Sequence, residues 1–378
     1  MTVLRRSEGF MRFALSVQYH GASFLGVPYL PGQEDQILPD GTDLRGYRSV
    51  EGRLREGLER LFPSDTTTSL WENIQVSSRT DRGVHALKNT LHVDIYNPDG
   101  SETENVLARL RKGLNYYLSR QTTSRNDQQG EKLSRRQRKR QYASPYKFLG
   151  EDWCRYSNDE IRILNAEVAP DFMVNKYAEQ YSQPATIDWN ARFSATERTY
   201  VYRILYFHNN NNYHDVAWGV PFEWDRSWRL MGGTPIDINA MQQAAEYLQG
   251  THDFSTFQAA KCQRRSPIVT MKSIKIHGES YASPFDCWGG GGGLLGLGHE
   301  QQHQDGSPQL LTIKVVGESF LYHQVRNMVG CLVEVGRGKF KPVQVRDMIE
   351  AKNRAEAPEM APAQGLFLVD VQHGSFQI

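Results

Sequence analysis

The sequence predicts an α+β protein made of two sheet-and-helix halves. Three observations carry that prediction. Short alternating apolar runs recur along the chain, helical apolar patterns stand between them, and the second half repeats this mixture in kind though not in sequence. The halves divide at about residues 1–185 and 186–378. A chain of 378 residues with 39% hydrophobic side chains is large enough for two domains with real cores.

Arg12 to Tyr19 opens the first half. Phe13, Leu15, Val17 and Tyr19 alternate with Ala14, Ser16 and Gln18, which predicts a strand with one buried face. Ser49 is placed to cap a helix running to about Phe62, with Val50, Leu54, Leu58 and Leu61 at helical spacing. Ile74 and Val76 predict a short strand, and Thr90 to Ile95 another after the segment SSRTDRGVHAL. A second helix fits Glu104 to Leu118, with Val106, Leu107, Leu110, Leu114 and Tyr117 inward, and Ile161 to Val168 reads as the next strand. The half is thus β-α-β-β-α-β in order. In the second half, Thr199 to Tyr206 alternates like a strand. Asp237 caps a helix through Leu248, with Gly250 closing it. Ile268–Ile276 and Leu310–Val316 read as strands, Leu321–Val335 as a helix with Val325, Met328, Val329, Leu332 and Val335 inward, and Gly365–Val371 as a last strand.

Two stretches interrupt this pattern, at about 118–159 and 284–306. The first includes SRRQRKRQ, and Leu118 to Tyr142 holds eight Lys/Arg against two acids. It reads as a solvated insertion, or as an arm contacting phosphates or an import signal. The second is Gly-, Gln- and His-rich, a linker composition.

Bulk composition excludes more than it assigns. The net charge is +1 and no apolar run reaches membrane length, so a soluble chain is expected and no membrane partner. Arg5 and Arg6 precede no apolar run, so neither a secretory signal nor a presequence is evident. Cys154, Cys262, Cys287 and Cys331 stand too far apart for zinc spacing, and are expected to be reduced inside the cell. His299 and His303 lie at i, i+4, but in the Gly/Gln-rich tract, so no metal is assigned. The compartment, whether cytoplasm, nucleus or mitochondrion, is left open.

Four stretches carry chemistry. In SSRTDRGVHAL, Asp81 stands between Arg79 and Arg82, with Gly83 permitting a sharp turn. A carboxylate beside two arginines is expected to stay ionised, which suits a nucleophile or a base. The same residues equally suit an Asx-turn with its arginines in solvent. In WNARFSATERTYVYRIL, Tyr200 and Tyr202 share a strand face, fit either to stack on a base or to fill a half-buried strand. Phe254 and Phe257 stand near Arg264 and Arg265, a mixture that suits RNA or any surface loop. In ESFLYHQVRNMVG, Arg326 sits within an apolar helical pattern and requires an anionic partner there.

Taken together, these blocks resemble the TruA family of tRNA pseudouridine synthases. RTDRGVHA is similar to that family's Arg-Thr-Asp-x-Gly-Val-His-Ala loop. ARFSATERTYVYRI, THDFSTF, FLYHQVRNMVG and APAQGLFLVDV resemble further family blocks in the same order. The likeness covers roughly 11–117, 160–280 and 308–374, and SSRTD and APAQGLFL resemble the animal tRNA pseudouridine synthase-like branch. The resemblance implies two ferredoxin/RRM-like halves whose antiparallel sheets join into one, with helices on one side and a basic active-site cleft on the other. It implies uridine-to-pseudouridine isomerisation in structured RNA, most plainly tRNA, by a homodimer with no metal or organic cofactor. By the same carry-over Asp81 is the catalytic residue, Tyr200 packs against the target base, and Arg326 pairs with the aspartate. Leu366 lines the base pocket and Arg79 lies near the flipped nucleotide. The chain departs from the family in having Arg82 where many members have alanine, and YHGASFLGVPYLPGQ where Gly-Trp-Gln is frequent. Two rival readings are an inert RNA-binding protein of the same fold and a hydrolase pairing Asp81 with a second acid, for which Asp94 is nearby but in a strand.

Overall fold

The computed structural model describes residues 6–28, 49–64, 69–119, 160–175, 178, 184–207, 223–231, 235–260, 262–280 and 308–378. The basic tract from 120 and the Gly/Gln-rich tract lie outside them, as do Cys154, Cys287, His299 and His303. The architecture is mixed α/β with a large mixed sheet and few helices. Two compact units are present: one within Met1–Arg79 and Thr90–Phe193, with Ile378, and one within Thr80–Asn89 and Ser194–Gln377.

The first unit holds β1 (Phe10–Tyr19), α1 (Val50–Leu61), β2 (Trp71–Val76), most of β3 (His85–Tyr96), α2 (residues 103–118) and β4 (Ile161–Val168). Its strands hydrogen-bond in the order β4-β1-β3, with β2 on β3. Ser49 caps α1 as its sequence predicts, its hydroxyl accepting from the Gly52 N–H at 3.0 Å. Leu54 and Leu58 are buried beneath that helix, each worth about 2–3 kcal/mol relative to exposure. Helix α2 includes a π-helical turn at Arg109–Gly113. That turn shifts the buried stripe: Val106, Leu110, Leu114 and Leu118 are inside, while Leu107 and Tyr117 are only half-buried.

Strand β1 differs from its sequence pattern. Ala14 and Ser16, expected on an open face, are buried along with Phe13, Leu15 and Val17. The cause is a polar layer on that face. Arg12 grips Asp94 of β3 with two contacts, Nε to Oδ1 at 2.6 Å and Nη2 to Oδ2 at 2.7 Å. Its Nη1 donates to the Trp189 carbonyl at 2.5 Å, and Asn73 donates to Asp94 Oδ2 at 2.9 Å. Both ion partners are buried, so the pair survives only through this hydrogen bonding. The hairpin β5 (Phe172–Val174) with β6 (Thr186–Asp188) follows, antiparallel and short.

The second unit holds β7 (Glu197–Phe207), β8 (Trp228–Met231), α3 (Ile238–Tyr247), β9 (Gly250–Asp253), β10 (Ile268–Ser280), β11 (Gln309–Gly317), α4 (Gln324–Gly336), α5 (Pro342–Ala351) and β12 (Leu366–Gln372). The strand order is β12-β7-β11-β10-β9, with β8 parallel to β7. The first residues of β3 add to the edge of β12 in parallel, His85 facing Phe367 and Ala86 facing Leu368. Asp237 caps α3, accepting from Ala240 N–H at 2.9 Å. Gln242 then ties α3 to β10, donating to Ile274 O at 3.2 Å and accepting from Ile276 N at 2.9 Å.

Helix α4 begins at Gln324, three residues later than its apolar pattern, because His323 adopts a left-handed conformation (φ 61°). It is buried on nearly every face. Gly330 is required there, since a Cβ would run into the Glu359 carbonyl. Cys331 is core, its thiol pushed up to about 12 by burial. Helix α5 has no counterpart in the sequence reading. Its apolar positions are few, and Pro342 with the Lys341–Gln344 capping box marks its start. Phe254 and Phe257 are fully buried with ring centroids 6.4 Å apart. The 3₁₀ turn Ser255–Phe257 turns both rings into the core, so they are not surface aromatics for RNA. No helix among the described residues is long and apolar enough to cross a membrane.

Candidate active site

The segment RTDRGVHA makes a sharp turn before β3. The Val84 N–H bonds back to the Asp81 carbonyl at 3.1 Å. Gly83 closes the turn at φ 82°, with Ala363 packed 3.2 Å from where a side chain would begin. The chain is therefore held tightly just after Asp81, and the carboxylate is presented by a fixed turn.

Its neighbours come from the start of α4. His323 Nε2 lies 3.2 Å from Asp81 Oδ2, and Arg326 Nη1 lies 3.7 Å from the same oxygen. The three-residue spacing puts both side chains on one face of the helix start. Arg326 is anchored independently: its Nε donates to the Ala361 carbonyl at 2.8 Å, and its own carbonyl accepts from Ala361 N–H at 3.1 Å. Asp81 keeps 24% of its side chain exposed, against 11% for Arg326, so the acid is the reachable member.

These contacts correct the electrostatic expectation. Arg79 and Arg82 are exposed, and the charges acting on Asp81 are those of His323 and Arg326. Burial pushes the Asp81 carboxyl above its ordinary value, and the two cations pull against that shift. His323 moves the other way. Burial lowers it, Asp81 raises it, and Arg326 lowers it again.

Tyr200 and Tyr202 share a face of β7 with Ile204, opposite Leu368 and Leu366 of β12 respectively. Tyr200 is 6% exposed, its ring edge-on to Phe320 with centroids 5.0 Å apart. Tyr202 is fully buried and donates to the Pro362 carbonyl at 2.7 Å. Leu366 is also buried, at 5%. Gly365, just before it, is needed because a Cβ would meet the Tyr202 ring at 2.7 Å. Among these aromatics Tyr322 is the exposed one, at 44%, and its ring stacks on His323 at 3.8 Å. The sequence reading passed over His323 and Tyr322. Their signal was present in the spacing HQVR, which puts His323 one turn before an arginine that required an acid.

The arrangement supplies one partly exposed carboxylate beside two cationic or hydrogen-bonding groups, with an exposed aromatic ring alongside. No group of three or more His, Cys, Asp or Glu among the described residues is arranged to hold a metal. Asp94, the second acid of the hydrolytic reading, is fully buried and committed to Arg12.

A family model described as tRNA pseudouridine synthase matches residues 244–373. Similar curated proteins carry the name tRNA pseudouridine synthase A. The protein from Gluconobacter oxydans is 28% identical over 96% of this chain and 90% of its own length. That from Ehrlichia canis is 27% identical over 96% of this chain and 100% of its own length. A third, from a Ruegeria species, is 28% identical over 95% of each. Near-complete coverage of both chains means that the likeness spans the carboxylate loop as well as the C-terminal blocks, so over almost its whole length the chain is similar to tRNA pseudouridine synthases of the A type.

Proposed function

We propose that this chain isomerises uridine to pseudouridine in tRNA, with Asp81 as the reacting carboxylate. The observation that carries the reading is the carboxylate itself: partly exposed on a fixed turn, with its His323 and Arg326 contacts both on a single oxygen. The relatives' shared name supplies the reaction. In this reading the target uridine leaves its stack, which costs a few kcal/mol and less in a loop. Asp81 promotes cleavage of the N1–C1′ bond, by attack on the sugar or as a base. The detached uracil turns and rejoins C1′ through C5, and the C5 proton then leaves while N1, freed from the sugar, takes up a proton, so no atom is gained or lost overall. Arg326 holds the carboxylate in place. Tyr200 packs against the base, Leu366 lines its pocket, and Arg79 lies near the flipped nucleotide. For Tyr200 and Leu366 this role requires local opening, since both are nearly buried in the absence of RNA.

The wider reading follows the same resemblance. It comprises two ferredoxin/RRM-like halves dividing near residue 185, joined sheets with a basic cleft opposite the helices, and an intracellular homodimer close to the animal branch. The strand order β4-β1-β3-β2 of the first unit supports the first of these. The test is pseudouridine mapping on tRNA incubated with the purified protein and with Asp81→Asn. Asparagine keeps the shape and removes the charge, so product formation is abolished while tRNA binding persists. Turnover within about tenfold of wild type, equivalent to about 1.4 kcal/mol of barrier, refutes the assignment.

A further inference from the structure

The geometry points to His323 as a positioning residue for Asp81, one that holds the carboxylate through Oδ2 so that Oδ1 is the oxygen left for the substrate. The inference rests on the reading of Asp81 as the reacting carboxylate. Four observations carry it. His323 Nε2 is the nearest ion partner of Asp81, at 3.2 Å, closer than Arg326 at 3.7 Å. Both contacts fall on Oδ2 and neither on Oδ1. A carboxylate held at one oxygen by two groups loses its freedom to rotate, which is what an in-line approach to a sugar carbon requires.

The third observation is the backbone. His323 adopts φ 61° and ψ 8°, a conformation that glycine or asparagine reaches at less cost. A histidine at such a position is retained for its side chain. It also makes no capping hydrogen bond to α4, so helix initiation does not account for it. The fourth is the wedge behind the ring. Tyr322 stacks on His323 at 3.8 Å with the planes 30° apart, which fixes the imidazole plane and hence the direction of Nε2. The sidedness of the imidazole also matters. With Nε2 committed to Asp81, the proton on that nitrogen is donated to the carboxylate, and Nδ1 is the basic nitrogen.

The charged and titratable groups around His323 are Asp81 from the turn, Arg326 one helical turn on, and the Tyr322 phenol. Burial disfavours both charged forms, raising the acid and lowering the imidazole, while Arg326 opposes a second positive charge. Acidification protonates the pair and abolishes the anion. Loss of His323 removes a donor from the anion and moves that acid transition to higher pH.

The experiment uses the full chain and two variants. His323→Asn suits the left-handed backbone but is too short to reach Oδ2, and His323→Gln keeps a donor at comparable reach. The readouts are single-turnover pseudouridine formation on tRNA across pH, and the titration of the Asp81 carboxyl carbon by ¹³C NMR. The expected result for His323→Asn is at least a tenfold loss of kcat with KM for tRNA little changed, roughly the lower end of what a positioned proton-handling group contributes. The acid limb and the carboxyl midpoint both move to higher pH, because the lowering influence of His323 on Asp81 is gone. His323→Gln recovers part of the turnover. A purely structural histidine gives lower melting temperature with an unmoved acid limb, and that outcome overturns the inference, as does wild-type turnover in His323→Asn. If the wild-type protein forms no pseudouridine, the isomerase reading fails on its own account. The carboxyl midpoint then still decides the pairing, a shift supporting it and coincidence overturning it.

Discussion

Replacing Arg326 with glutamine tests how much of the site's arrangement is electrostatic. At 3.7 Å and an effective dielectric of about 20, the guanidinium and the Asp81 carboxylate attract by about 4.5 kcal/mol. Desolvation of both groups offsets much of that, and net couplings for contacting charged pairs run at about 0.5–3 kcal/mol. The hydrogen bond to the Ala361 carbonyl, at 2.8 Å with a charged donor, adds about 1.5–3 kcal/mol that glutamine only partly replaces. The expected cost of Arg326→Gln is therefore about 3 kcal/mol of folding stability at neutral pH. The cycle with Asp81→Asn separates the two terms. Denaturant unfolding of the four proteins should give a coupling of about 1–2 kcal/mol near pH 7. Arg326 holds the Asp81 proton affinity down, so its removal raises an already raised carboxyl further. The coupling belongs to the ionised acid and therefore fades as pH falls through the Asp81 transition. A coupling below about 0.3 kcal/mol at pH 7, or one unchanged by acid, refutes the claim that Arg326 acts on the carboxylate, and reassigns it to anchoring Ala361.

Two further outcomes follow from the same structure. Tyr200→Phe should keep nearly all RNA affinity while slowing product formation, whereas Tyr200→Ala should cost about 3–5 kcal/mol of folding stability because the ring is buried against Phe320; full activity in the phenylalanine variant, by single-turnover assay beside thermal melts, makes Tyr200 purely structural. His373, buried with Ser194 Oγ 2.8 Å from its Nδ1, has its proton affinity lowered to about 4, chiefly by burial and then by Arg198. Its contribution is fully present above the unfolded value near 6.5 and is lost as pH falls towards 4, a total of about 3 kcal/mol. Denaturant midpoints of His373→Asn should accordingly fall less steeply than wild type over that window, and parallel curves reject the assignment.

The regular elements were legible because their periodicity is strong. Ser49 and Asp237 announced helix starts, and β1, β7, β11 and β12 lie where alternation put them, within two residues at each end. What periodicity does not carry is the environment of a face. Nothing in Arg12-Phe-Ala-Leu-Ser tells that Arg12 meets an acid 82 positions away, which is why the second face of β1 looked open. The start of α4 was misplaced for a related reason. Leu321 continues the apolar stripe, but His323 adopts a left-handed conformation, which residue propensity does not announce for histidine. At the site, Asp81 and Arg326 stood out as residue types in unexpected company. The flanking arginines are not the charges that act on Asp81, since both are exposed while His323 and Arg326 reach it from the later part of the chain, and burial was not visible at all. Phe254 and Phe257 show the converse error, an aromatic-basic mixture whose rings are core.

The parallel pairing of His85 and Ala86 with Phe367 and Leu368 has a consequence for biosynthesis. The turn carrying Asp81 belongs to the unit built from the later part of the chain, not to the one surrounding it in sequence. A ribosome must add about 280 more residues before the partner strand exists, roughly 15–60 s at ordinary elongation rates. For most of that interval the carboxylate has neither its helix nor its neighbouring strand. A nascent chain cannot react prematurely with cellular RNA, and any product terminating before Leu366 is left with an exposed turn and no edge to dock on. Competence is thereby tied to translation through Leu366, and nonsense or frameshift alleles just upstream of it should be as severe as early ones.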